Sequence, residues 1–132
     1  MVDVMKELNP TYVDQWTCET AGSNEFCYFK DLTCDRLKLP ETLDIKLGSE
    51  IYSIPMVSLS ESVYARDEWP DCDIFVVPLT EDEMAVRLGD PFFASFTPVF
   101  DVDNDQIGLG LSTRAPEGSA ISQTLTPQLS FD

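Results

Sequence analysis

Leu43, Ile45 and Leu47 alternate with Asp44 and Lys46, a period of two that predicts a strand with one buried face. Gly48-Ser49 follows as a turn, and Ile51, Ile54 and Val57 predict the returning strand of a hairpin. Pro55 marks an edge or a strand end. Near the start, Val2, Met5 and Leu8 fall on one face of a short helix that Pro10 ends. Residues 14–36 read as a polar, cysteine-rich stretch with a turn at Gly22-Ser23-Asn24, and residues 60–71 as a polar connection. The continuous apolar run Ile74-Phe75-Val76-Val77 predicts a buried strand, and Thr80-Glu81-Asp82-Glu83 a solvated acidic turn. Asp90 as N-cap with Pro91 at the first helical position predicts one or two helical turns towards Phe96. Pro98 to Phe100 and Ile107 to Leu111 predict two strands around a tight turn at Asp103-Asn104-Asp105. From Thr113 the chain is rich in Ser, Thr, Pro and Gln, so residues 113–132 are expected as a tail or docking segment. There is no internal repeat, and the pattern is all-β with two short helices.

Composition narrows the function. The 132 residues hold 8 Lys+Arg against 24 Asp+Glu, a formal net charge of −16. Phosphate backbones and anionic lipid should repel such a chain, so nucleic acid and membrane surfaces are not expected partners. No run of about 18 apolar residues exists, so no membrane span is expected. There is no histidine. That excludes a Ser-His-Asp or Cys-His nucleophile system and any His-ligated metal centre, and no cofactor motif is present. A hydrophobic content of 43% supplies one core, and the length fits one domain.

The four cysteines, Cys18, Cys27, Cys34 and Cys72, have spacings of 9, 7 and 38, without the two close pairs of a four-Cys zinc site. Disulfides are the better reading and imply an oxidising compartment, with three pairings open. Met1 to Lys6 carries acid early and lacks the apolar stretch of a signal peptide, which conflicts with that compartment unless the chain is the tail end of a longer precursor.

Other candidate chemistry is weak. Asp101-Val102-Asp103-Asn104-Asp105 imitates the opening of a calcium loop, but Gln106 stands where the turn glycine belongs and Ser112 where the closing Glu belongs. A hairpin turn is the expectation, and no metal site is assigned. Phe92, Phe93, Phe96 and Phe100 are expected in the core. Trp16 and Trp69 sit in polar connections, either exposed as partner anchors or partly buried.

Residues 88–108 run Leu-Gly-Asp-Pro-Phe-Phe-Ala-Ser-Phe-Thr-Pro-Val-Phe-Asp-Val-Asp-Asn-Asp-Gln-Ile-Gly. This stretch resembles the C-terminal signature of pepsin-like aspartic proteases: Leu-Gly-Asp-x-Phe, a short helix, Val-Phe-Asp, a turn with Asn, then Val/Ile-Gly. Upstream, Cys34, Leu39-Pro40, Cys72 and Val77-Pro78 follow the family's order. The resemblance covers residues 1–112 and implies the C-terminal lobe of the pepsin-like double-barrel fold. It implies a Cys34–Cys72 disulfide, which leaves Cys18–Cys27 as a local loop. It implies that the helix at residues 2–9 follows the second catalytic loop, so that the chain begins just after it. By the same resemblance Phe75 and Val77 sit on the segment lining the prime-side subsites, with Arg87 nearby; the alternative is that Phe75 and Val77 are core strand residues. Arg87 stands where the family has an apolar residue supporting the catalytic loop. Either it points outward or the domain no longer needs that floor.

The family's chemistry needs two carboxylates sharing one proton, each on an Asp-Thr/Ser-Gly loop, so that one serves as base and the other as acid. Neither Asp-Thr-Gly nor Asp-Ser-Gly occurs in the 132 residues. No catalytic residue is therefore assigned. The expectation is a part of a pepsin-like aspartic endopeptidase that is inactive alone. Its partner would be the N-terminal lobe or another chain covering the lobe interface, with peptide substrate bound only by the complete enzyme. The other expectation is a catalytically dead lobe kept as a binding or structural module. Either implies an extracellular, lysosomal or vacuolar lumen.

Overall fold

A computed structural model of the chain describes residues 2–22, 24–64, 69–76 and 87–123. In chain order it has α1 (Val2–Leu8), β1 (Trp16–Ala21), β2 (Asn24–Phe29), β3 (Thr42–Leu47), β4 (Glu50–Pro55), β5 (Ser60–Val63), β6 (Asp71–Ile74), α2 (Asp90–Ser95), β7 (Phe96–Asp101), β8 (Gln106–Leu111) and β9 (Ala120–Gln123), with short 3-10 helices at Pro10–Gln15, Cys34–Arg36 and Met56–Ser58. All described strand pairs are antiparallel, the helices are short, and no described sheet closes into a barrel. The fold is all-β. The chain forms two compact units, Met1–Glu41 with Met56–Arg87, and Thr42–Pro55 with Leu88–Asp132.

The first unit is built on a sheet of order β1-β2-β6-β5. Its core holds Met5, Phe29, Leu32, Leu37, Met56, Leu59 and Ile74. The stretch expected as polar at 14–36 forms the β1–β2 hairpin instead. Phe26, Tyr28 and Phe29 fit a pleated surface, and Trp16 packs on Phe29 with ring centroids 4.6 Å apart. Cys18 lies directly opposite Cys27 in that hairpin and the two are bonded, while Cys34 is bonded to Cys72 in β6. In the chain-entropy model, loops of these two sizes stabilise by about 3 and about 4 kcal/mol. The strand expected at 74–77 lies earlier, at Asp71–Ile74. Phe75 comes after it, its N–H donating to the Leu59 carbonyl at 2.7 Å. The polar connection expected at 60–71 also begins as a strand, β5.

Two buried polar side chains lock this unit. Asp71 is buried in β6 and accepts the N–H of Asp31 at 3.0 Å, holding Asp31 at φ 59°, a left-handed conformation that a non-glycine residue rarely adopts. Asn9 is only 4% exposed. Its Nδ2 donates to the carbonyls of Met5 (3.0 Å) and Lys38 (3.1 Å), and its Oδ1 accepts the Lys38 N–H at 2.6 Å. The end of α1 is thereby tied to the segment beyond the Cys34 turn.

The second unit holds a sheet of order β3-β4-β9 and the separate β7–β8 ribbon. Gly48 at φ 63° supplies the left-handed residue that a two-residue hairpin turn requires between β3 and β4. Leu43, Ile45 and Leu47 lie opposite Ile54, Tyr52 and Glu50 on one face, as their alternation predicts. Pro55 ends β4, which is the middle strand. Ala120–Gln123, within the stretch expected as a tail, pairs with β4, Ile121 opposite Tyr52. Helix α2 starts one residue before expectation: Gly89 is its N-cap, placing Asp90 in the first turn, and no side chain caps it.

Removing the Asn9 side chain would leave the Lys38 N–H and carbonyl without their partner inside the fold. We expect Asn9→Ala to destabilise the chain by about 3 kcal/mol, read as a lower urea midpoint with unchanged slope; an unchanged midpoint would contradict the role given to this side chain.

Candidate functional site

In the ribbon, the register decides which side chains share a face. Phe96 pairs with Leu111, Pro98 with Leu109 and Phe100 with Ile107. With period two, these six residues all lie on one face, and Thr97, Val99, Asp101, Gln106, Gly108 and Gly110 on the other. Along β7 the apolar face runs from a buried root to an open end, while Leu111, opposite Phe96 on β8, is 51% exposed. Phe96 is fully buried, Pro98 and Leu109 are half-buried, and Phe100 and Ile107 are 67% and 66% exposed.

The root sits in an aromatic cluster. Phe96 meets Tyr52 edge-on at 5.1 Å and Phe92 at 4.9 Å, and Phe92 meets Phe93 edge-on at 5.4 Å. Ser95 anchors it further: its carbonyl accepts the Ser112 N–H at 2.9 Å, and its hydroxyl shares a hydrogen bond with that of Ser119 at 2.8 Å. Beside the cluster lies a groove of about 570 Å³, lined by Glu50, Tyr52, Phe92, Phe93, Phe100 and Ile107 among others. Glu50 is the charged member of the lining. It accepts the Tyr52 hydroxyl at 2.6 Å. That hydrogen bond, then burial, then the nearby negative charge, raise the Tyr52 pKa above its ordinary value near 10.

The predicted site residues fall elsewhere. Phe75 lies in the first unit just after β6 and is 47% exposed, so the core-strand alternative does not hold for it. Arg87 is exposed at the end of the same unit, as expected if it points outward. Val77 lies outside the described residues, as do Pro78 and the acidic turn at Thr80-Glu81-Asp82-Glu83. Phe93 and Phe100, expected in the core, are exposed; Phe92 and Phe96 alone of the four are buried. Hydrophobicity placed all four inside, whereas Phe93 lies on the uncovered side of the short helix and Phe100 shares the face of Phe96 beyond the point where that face is covered. Trp16 is half-buried and Trp69 is 65% exposed.

Two clusters could suggest a metal. Cys18, Cys27 and Glu25 converge, but both sulfurs are consumed by their disulfide and are not thiolate ligands. At the ribbon tip, Asp101 is spent on the turn, its oxygens accepting the Asn104 backbone N–H (3.2 Å) and side-chain Nδ2 (2.8 Å), with Asp105 at φ 50°. Among the described residues, no helix is long and apolar enough to cross a membrane.

Plasmepsin I of Plasmodium falciparum, in each of two isolates, is 29% identical to this chain over 87 residues, 62% of the chain. The match spans 18% of that relative's length. No family model matches the chain, and neither does a solved structure. The likeness to plasmepsin I supports a distant relationship to pepsin-like aspartic proteases, the family whose signature the 88–108 segment resembles.

The Tyr52 shift has a testable sign. A raised folded-state pKa means the fold holds the neutral phenol, so its contribution is complete below the unfolded tyrosine value near 10 and is lost as pH climbs through the raised value. Titrating tyrosinate absorbance should show a late component whose amplitude falls in Tyr52→Phe. If the absorbance lost in that variant belongs to the ordinary tyrosine range and the late component stays intact, the Glu50–Tyr52 contact is contradicted.

Proposed function

We propose that this chain is the greater part of the C-terminal lobe of a pepsin-like aspartic endopeptidase, without proteolytic activity by itself. The lobe spans residues 1–112, and Ala120–Gln123 adds a strand to it. The observation that carries this reading is the 88–108 segment: its residues keep the spacing of the signature, and they fold as a short helix, a strand, a turn and a returning strand. The Cys34–Cys72 disulfide and the likeness to plasmepsin I support it. The complete enzyme hydrolyses internal peptide bonds of extended, largely apolar segments, with the proton-sharing carboxylates supplied from outside this chain. Phe75, Val77 and Arg87 line its prime side, a role that the exposure of Phe75 and Arg87 supports. The partner is the N-terminal lobe or another chain covering the open apolar face. Two disulfides and this relationship favour a secretory or vacuolar lumen.

A second reading has its own observation. With no Asp-Thr-Gly or Asp-Ser-Gly and an apolar ladder left open, the chain also fits a catalytically dead lobe that serves as a binding or structural module. The transcript upstream of Met1 separates the two: an in-frame Asp-Thr-Gly supports the enzyme, its absence the module. For the chain alone we expect no hydrolysis of an apolar peptide at about pH 4, where a carboxylate dyad works. Pepstatin-sensitive cleavage by the purified chain would refute its inactivity.

A further inference from the structure

One face of the β1–β2 hairpin gathers three metal-ligating side chains. Cys18 lies opposite Cys27 and Thr20 opposite Glu25, so the pleat puts Cys18, Cys27 and Glu25 on the same side. One ligand atom from each lies within 4.8 Å of the other two, and among the described residues no other group of three is so placed. Cys18 and Glu25 are exposed and Cys27 is buried, so the group opens to solvent on one side. On the other face of the hairpin Glu19 accepts the Tyr28 hydroxyl at 2.7 Å, whereas no described side chain engages the Glu25 carboxylate. A tetrahedral zinc with two thiolates at about 2.3 Å sets its sulfurs about 3.8 Å apart. Rotation about side-chain bonds brings donors already this close to that spacing.

We propose that Cys18, Cys27 and Glu25 form a redox-gated Zn²⁺ site, closed while the two sulfurs are bonded and open to one zinc ion once they are reduced. The opening step is thiol–disulfide exchange with a dithiol reductant. A thiolate of the reductant attacks the exposed Cys18 Sγ, the Cys18–Cys27 bond breaks, and Cys27 leaves as a thiolate. The second thiol of the reductant then displaces Cys18. The reductant ends as a disulfide, and its two electrons and two protons end on Cys18 and Cys27. Zn²⁺ replaces both protons, Glu25 supplies the third ligand, and water completes the tetrahedron on the exposed side. Sulfur donors select zinc over calcium or magnesium. Cys34–Cys72 stays bonded in this step, because Cys72 is fully buried and Cys34 half-buried. Its sequence separation of 38, against 9, also makes it the more destabilising bond to lose. The metal takes over the role of the disulfide: it ties β1, whose Thr17 to Thr20 show no apolar period, to β2.

The test reduces the full chain mildly with dithiothreitol, removes the reductant without oxygen, and titrates Zn²⁺ in competition with a colorimetric chelator. Alkylation and mass mapping of the same sample should place the new thiols at Cys18 and Cys27 and leave Cys34–Cys72 bonded. The reduced chain should take up one Zn²⁺ with release of about two protons, and excess Ca²⁺ should not displace it. The oxidised chain should take up none. Glu25→Gln, a change at an exposed position, should bind at least about tenfold more weakly after the same reduction; circular dichroism of its oxidised form checks that it folds. Zinc should also raise the melting temperature of the reduced chain and leave that of the oxidised chain unchanged. Equal uptake by oxidised and reduced chains, no uptake by either, or thiols appearing first at Cys34 and Cys72 overturns the proposal. So does unchanged affinity in Glu25→Gln, the result expected if zinc only collects the thiols of a loosened chain, and so does zinc held between two chains in sedimentation.

Discussion

Pro98 has no amide hydrogen, and the second unit is arranged around that constraint. A hydrogen-bonded antiparallel pair needs a donor from each side, so Pro98 must occupy the other kind of pair, and its neighbours in the ladder follow. The pleat then puts Phe96, Pro98 and Phe100 on one face with Leu111, Leu109 and Ile107. Ser95 fixes the root of the ribbon with its carbonyl and its hydroxyl, next to the cluster of Tyr52, Phe92 and Phe96. Apolar burial is worth about 25 cal/mol per Å². The buried root stabilises this unit by that route, while the open end around Phe100 and Ile107 still has that free energy to gain from a partner.

The first unit is held differently. Its strands are short, and cross-links take over part of what a larger apolar core would supply. Cys18–Cys27 staples one hairpin, and Cys34–Cys72 ties the segment after β2 to β6. Asp71 and Asn9 then hydrogen-bond backbone groups of Asp31, Met5 and Lys38. The buried Asp71 side chain finds a hydrogen-bond partner in the Asp31 N–H, as a buried polar group requires.

Where one face is at least partly covered and the other wet, the sequence is readable. The alternation of Leu43, Ile45 and Leu47 marks β3 because Asp44 and Lys46 face water between them. The 88–108 segment is readable for a different reason: its turn, proline and aromatic positions recur at family spacing. The β1–β2 hairpin was hidden because Thr17, Cys18, Glu19 and Thr20 show no apolar period, and what holds them in a strand is the facing strand and a covalent bond. The run at 74–77 misplaced β6 because a continuous apolar stretch has no phase; the strand's actual start, Asp71 and Cys72, is defined by tertiary partners. The exposure of Phe93 and Phe100 was likewise illegible, since hydrophobicity says that a face wants covering and not whether this chain covers it. The parity that groups Pro98, Phe100, Ile107 and Leu109 was not legible either: the turn spans 102–105 and sets Asp101 opposite Gln106, whereas the expected turn at 103–105 shifts the pairing by one residue.

Amide hydrogen exchange, resolved by residue in the purified chain, tests the ribbon register most directly. Thr97, Val99, Gly108 and Gly110 should be protected, because their N–H groups close the ladder, while Ile107, Leu109 and Leu111 exchange rapidly. Protection of Ile107, Leu109 and Leu111 as strong as that of Gly108 and Gly110 would contradict the register on which the account rests.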